Sequence, residues 1–216
     1  MDYDIECIAA SLLQARGDQC RFLVAIAGPP ASGKSTLSKA LSNYLNESID
    51  LRSVVVPMDG FHLDNDCLED LQLLHRKGAP ETFDFDSFFH LVRRLEISDQ
   101  PIYYPTFDRA LDKVIAGRSA VYPKDQVILV EGNYLLLDEQ PWSQLNLLFD
   151  YSIFLDTPID VLESRLIQRW LDQGHTLEEA KARAFSNDIP NARRVHDSLL
   201  KADQVIGLDY SSTRQV

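Results

Sequence analysis

The chain has 216 residues, 45% of them hydrophobic, and carries 33 Asp and Glu against 21 Lys and Arg, a formal charge of -12. That length predicts one domain, residues 1–216, with a real core and room for a small lid or insert. The acidic balance excludes a surface built to grip nucleic acid or anionic lipid, so any anionic ligand must meet a local positive site.

In chain order, the opening MDYDIECIAA lacks the basic, apolar and small-residue succession of an export signal, and no apolar run approaches a membrane span. A cytoplasmic location is expected. Cys7, Cys20 and Cys67 form no metal-ligand spacing, and an odd count fits a reduced compartment; they are taken as packing or chance. Ile5, Ile8, Ala9, Leu12 and Leu13 recur at helical spacing and stop near Gly17, which predicts a short amphipathic helix. Phe22 to Ala27 is an apolar run of strand length, suited to a central parallel strand covered on both faces. Leu37, Ala40, Leu41, Tyr44 and Leu45 then mark a helix. SVVV at 53–56, VILV at 127–130 and SIFL at 152–155 are further core strands. Between the second and third strands lie one helix, DSFFHLVRRLEI, and an aromatic, β-branched stretch that predicts a projecting hairpin around an Ala-Gly-Arg break. Helix returns over 157–200, with Gly174 as a cap, and DQVIGL is a last strand candidate. Strands alternating with helices predict an α/β sandwich around a parallel sheet.

The stretch GPPASGKST, residues 28–36, joins the first strand to the helix after it and meets G-x-x-x-x-G-K-[ST] through Gly28, Gly33, Lys34 and Ser35. Glycine lets the backbone turn and approach phosphate, while successive amides and a helix N-terminus offer partial positive charge. Pro29 and Pro30 have no N–H, so the cradling amides are expected mainly from Ala31, Ser32, Gly33, Lys34, Ser35 and Thr36. Lys34 should reach the β and γ phosphates, Ser35 a magnesium ion and Thr36 the α phosphate. The strand before and the helix after set this stretch apart from an ordinary Gly-rich turn.

Two carboxylates are expected at the same sheet edge, where ligands of open α/β sheets gather. Asp59 follows the second strand in VVVPMDGFHLDN and could accept the proton of an attacking hydroxyl, although Asp-Gly alone also makes a turn. Glu131 ends the third strand in VILVEGNYLLL and is the candidate for the magnesium shell, since that ion prefers hard oxygen ligands.

Taken in order, GPPASGKST, MDGFHLDN, RKGAPETFDFDSF, YPTFDRALD and VEGNYLLL resemble the P-loop small-molecule kinases that include uridine kinase, phosphoribulokinase and bacterial pantothenate kinase. The likeness spans roughly residues 20–200 and is nearest to bacterial fructose-transport-system kinases and nucleoside kinase-like proteins. It implies a three-layer P-loop NTPase fold with a projecting hairpin and a helical lid, the substrate-binding insert over about 59–122 and the lid over about 165–190. It implies ATP and Mg2+ as cofactors, Asp59 as general base and His62 in the acceptor pocket. Arg169, with Arg165 one turn before it, falls on the lid helix that delivers arginine to the transferring group; the pair could equally be a solvated face near Glu163.

Uridine kinases carry P-x-Y-D-F followed by His and Arg, whereas Pro105 to Arg109 read PTFDR; RKGAPETFD imitates the pantothenate kinase run with changes at three places. Asp108 and Arg109 either bind a polyol or carboxylate or pair with each other. Tyr104, with Tyr103 and Phe107, reads as pocket wall or core. No Asn-Lys-x-Asp guanine-reading element occurs. The expectation is therefore an ATP-dependent kinase for a small sugar-like, nucleoside-like or vitamin-like alcohol, fructose among the candidates. A pantothenate or nucleoside kinase, a GTP switch and a silent nucleotide-binding regulator are the alternatives. The expected partner is a small-molecule acceptor, with neither nucleic acid nor membrane, and a homodimer is compatible with the sequence.

Overall fold

A computed structural model describes residues 3–97 and 99–207. Its centre is a parallel sheet of β1 (Phe22–Ala27), β2 (Ser53–Pro57), β5 (Val127–Gly132), β6 (Tyr151–Asp156) and β7 (Gln204–Gly207), in the order β2-β5-β1-β6-β7. β1 is buried along its whole length because both of its faces are covered. Phe22, Val24 and Ile26 pack with α1 (Ile5–Arg16) and α2 (Lys34–Ser48), while Leu23, Ala25 and Ala27 face α4 (Phe85–Ile97) and the hairpin. Each large side chain so buried contributes about 1.5–3 kcal/mol. The chain thus forms the expected three-layer α/β sandwich. Leu208, the end of the last predicted strand, lies outside the described residues.

The topology makes the site. From β1 the chain leaves through α2 on one face, and from β5 it leaves on the other, so the carboxyl ends of these neighbours open a crevice between diverging connections. Ile26 and Pro57 both align with Glu131, so the segments that follow β1, β2 and β5 emerge at one level. Beyond β2 come a short 3-10 turn (Met58–Phe61), α3 (Asn65–Asp70), α4, and the antiparallel β3 (Ile102–Asp108) and β4 (Lys113–Val121). α5 (Ile159–Asp172) and α7 (Ile189–Asp197) share a separate apolar cluster around Leu162, Leu166 and Ala192, and α6 (Leu177–Arg183) connects them.

Two expectations need correction. The hairpin turn lies before Lys113, and Ala116-Gly117-Arg118 is a bulge inside β4, with Gly117 at φ 60°. The register slips opposite Pro105, which has no N–H for the ladder. The cysteines are all exposed, which removes packing and leaves chance of the two readings given for them.

Candidate active site

The phosphate loop is shaped by its left-handed positions. Gly28 has φ 153°, and a Cβ there would lie 2.9 Å from Ser32 Oγ and 3.0 Å from Leu155 O, so no other residue fits between loop and β6. Ala31 (φ 64°) and Gly33 (φ 107°) also turn left-handed, and because Ser32 N donates to Pro29 O and Thr36 N to Gly33 O, the cradle falls to the amides of Ala31, Gly33, Lys34 and Ser35 and not to those of Ser32 and Thr36. Gly33 caps α2 without a side-chain bond and the first turn holds no acid, so the helix N-terminus is open to an anion. Lys34, 8% exposed, donates from Nζ to Pro29 O at 2.8 Å. Burial pulls its pKa down to about 8, opposed by the charges of Glu131 and Asp59. Thr36 lines the cavity, whereas Gly28 and Ser32 lie beneath it; Ser32 Oγ is buried with no hydrogen-bond partner among the described residues.

Opposite the loop, Ser35 Oγ donates to both Glu131 oxygens, at 3.0 and 2.9 Å. Burial raises the Glu131 pKa, and the Lys34 charge draws it back. Asp59 sits in the turn after β2, packed so closely that a Cβ on Gly60 would fall 2.1 Å from Pro105 O. Its Oδ2 accepts from Arg109 Nη2 at 3.1 Å. His62 Nδ1 lies 2.8 Å from Asp59 O; a carbonyl can only accept, so Nδ1 carries the proton and a neutral ring presents Nε2 as an acceptor. Burial lowers the His62 pKa, which favours that neutral ring. Phe83 and Phe107 flank it at ring separations of 4.1 and 4.8 Å.

Lys34, Ser35, Asp59, His62, Arg109, Glu131 and Arg169 all line one cavity of about 880 Å³. Tyr104 does not. It is 3% exposed and its hydroxyl donates to Val55 O at 2.9 Å, pinning the hairpin to β2 as core. Asp108 does not line the cavity either: it pairs with Arg118 at 2.8 Å and accepts from the amides of Ala110 and Leu111, closing the hairpin turn. The Asp108–Arg109 pair is thereby excluded, since each has another partner. Tyr103 is exposed, and Phe107 is cavity wall. Arg165 stays behind the loop, donating to Ala31 O at 3.2 Å and Ser32 O at 3.3 Å, so only Arg169 of the lid pair reaches the cavity. Glu163 pairs with Arg193 instead of either lid arginine.

Sequence reasoning missed Asn65, Lys77 and Asp112. Lys77 Nζ donates to Asn65 Oδ1 at 2.6 Å and pairs with Asp112 at 2.9 Å, and all three residues line the cavity beside Phe107. This contact latches the hairpin turn to the start of α3. The one sequence signal for it was Lys77 within RKGAPETFD.

The open amides of the loop, Lys34 and the paired carboxylates at one crevice describe a nucleotide phosphate site with room beside it for a second molecule. The profile of the phosphoribulokinase / uridine kinase family matches residues 23–206. The chain belongs to this family. A Schizosaccharomyces pombe protein named "Putative uridine kinase C227.14" is 37% identical over 199 residues, 87% of this chain and 83% of that protein. The Escherichia coli protein YggC is 34% identical, over 90% of this chain and 81% of its own length. The crystal structure titled "putative fructose transport system kinase", from Silicibacter sp. TM1040, is 45% identical with a TM-score of 0.90, covering 95% of this chain and all of the other. As a member of this family the chain is an ATP-dependent kinase, a phosphotransferase acting on a hydroxyl of a small acceptor.

The residues fit the groups that such a kinase uses. The uncapped α2 N-terminus suits phosphate, and the Ser35–Glu131 oxygen pair suits a hard cation. Among the described residues no three acidic, His or Cys side chains gather into a metal cluster, so a magnesium ion would take its remaining ligands from phosphate and water. Among the same residues, no helix is long and apolar enough to cross a membrane.

Proposed function

We propose that this kinase transfers the γ-phosphoryl group of ATP to a hydroxyl of a small sugar-like alcohol, with fructose the first candidate. One observation carries the reading: the Asp59 carboxylate and the Lys34 ammonium line the same cavity. Asp59 is 34% exposed there, neither turned away nor plugged by the core. Arg109 occupies Oδ2, which leaves Oδ1 for the acceptor hydroxyl. As the hydroxyl oxygen forms its bond to the γ phosphorus, its proton passes to Asp59 and the bond to the β-phosphate oxygen breaks, releasing ADP. Lys34, the loop amides and Arg169 meet the charge that spreads over the phosphate oxygens. Ser35 and Glu131 would hold magnesium, which when bound neutralises phosphate charge and orients the chain of phosphates.

The acceptor wall supports a polyol. Asn65, Lys77, Arg109 and Asp112 offer alternating donors and acceptors beside the Phe107 ring, and His62 Nε2 adds an acceptor. Residues 59–122 build this side, and residues 165–190 cover the phosphates as a lid. The name of the Silicibacter protein points the same way, whereas the altered PTFDR element argues against a pyrimidine nucleoside. ADP release with ATP and a panel of sugars, nucleosides and pantothenate tests the acceptor. Asp59→Asn should lower acceptor-dependent release about 10²- to 10⁴-fold while the melting temperature holds; ordinary turnover in that variant removes the proposed base.

A further inference from the structure

Arg169 reaches the cavity from the last turn of α5 and is held there by a residue outside the transfer chemistry. Its Nη2 donates to Asp188 Oδ1 at 3.0 Å, and the adjacent Trp170 Nε1 donates to Asp188 Oδ2 at 2.7 Å. Two consecutive residues of one helix thus grip the two oxygens of one carboxylate, whose side chain is only 13% exposed. Rotating the carboxylate to release one donor disturbs the other. A guanidinium has five N–H donors, so one bond to Asp188 leaves the rest for phosphate oxygens. Arg169 already faces Lys34 closely enough for its charge to loosen the Lys34 proton, so both cations address one space.

The backbone explains why Asp188 stands there. α6 ends at Arg183, residues Ala184–Asp188 form a π turn, and α7 begins at Ile189 with Pro190 in its first turn. Pro190 has no N–H to offer the carbonyl four residues back, and the wider turn lets the chain continue through that gap. The turn is anchored independently of Arg169. Asn187 Nδ2 donates to Lys77 O at 2.8 Å and Asn187 Oδ1 accepts from Asn191 at 3.2 Å, which fastens the segment to the acceptor side.

We propose that Asp188 is a positioning residue for the transfer: anchored beside Asn187 and gripped by Trp170, it holds the Arg169 guanidinium over the phosphate loop for the terminal phosphate of a nucleoside triphosphate. The inference rests on the reading of Arg169 as the cation that meets the transferring group. A long side chain that is ordered before binding does not lose that freedom on binding, a difference of about tenfold in affinity. The benefit falls on the triphosphate, because a diphosphate lacks the group that Arg169 is held for.

Calorimetric titration with ADP and with a non-hydrolysable ATP analogue tests this without an acceptor. Wild-type protein should prefer the triphosphate analogue. Asp188→Asn, which cannot accept at both positions, should cut that preference about tenfold and leave ADP affinity within twofold. Arg169→Met should cut it too, and the double variant should fall no further than Arg169→Met. Trp170→Phe, which frees only Oδ2, should produce a smaller loss in the same direction and guards against an Asp188 variant that fails to fold. Additive losses in the double variant, a preference that is unchanged or raised in Asp188→Asn, or equal loss of ADP and analogue binding in both single variants would each overturn the assignment. So would a wild-type protein indifferent to the third phosphate. A nucleotide preference that behaves as expected in a protein with no acceptor-dependent ADP release would sink the transfer reading alone.

Discussion

Raising the pH from 7 to 9 should weaken nucleotide binding through a single group, the Lys34 ammonium. Burial brings its pKa down to about 8 in the free protein, whereas a bound triphosphate beside it would keep the proton on throughout this range. Affinity then scales with the protonated fraction, about 0.9 at pH 7 and about 0.1 at pH 9, so the apparent Kd should rise about tenfold between them. Binding should take up about 0.1 proton at pH 7 and about 0.9 at pH 9. Stability runs the other way. The unfolded chain keeps its lysine protonated to the ordinary value of 10.5, so between about 8 and 10.5 it binds more protons than the fold. The ligand-free fold should therefore gain from this group as pH rises through that window. The assay is calorimetric titration of a non-hydrolysable ATP analogue in two buffers of different ionisation heat, at saturating magnesium. Lys34→Arg should bind more weakly but with a flat pH profile. Unchanged wild-type affinity from pH 7 to 9, or proton release on binding, would refute the argument.

Other consequences are open to direct measurement. Glu131→Gln should raise the magnesium concentration for half-maximal turnover about 10- to 100-fold, because the oxygen pair that it forms with Ser35 loses its charge; an unchanged requirement places the ion elsewhere. Tyr104→Phe should lose about 1–2 kcal/mol in denaturant unfolding by leaving Val55 O without its donor, while KM for the acceptor stays put. Gly60→Ala should cost about 1–3 kcal/mol or more, because its Cβ must displace the Pro105 carbonyl. Turnover should fall with it, since Asp59 rides on the same turn.

The phosphate loop and the two carboxylates are legible in the sequence because each belongs to a strand end. Buried runs such as FLVAIA and VILV announce parallel strands, and the residues just after them must lie at the carboxyl edge. The hairpin was half legible. Its β-branched and aromatic residues marked strands, but Ala116-Gly117-Arg118 imitated a turn, and only pairing against Pro105 reveals a bulge. That error displaced the true turn, and with it the roles of Asp108 and Arg109.

What the sequence determined by itself was the anion cradle, since its amides come from consecutive residues whose geometry is set by local sterics and by the helix that follows. What only the tertiary structure decided was the pairing of distant side chains: Arg109 with Asp59, Lys77 with Asp112, Tyr104 with Val55, and Arg169 with Asp188. Those contacts depend on strand register and on the turn of a helix around a proline. A shift of one residue in either redirects a side chain, and no local pattern in the chain records which way it points.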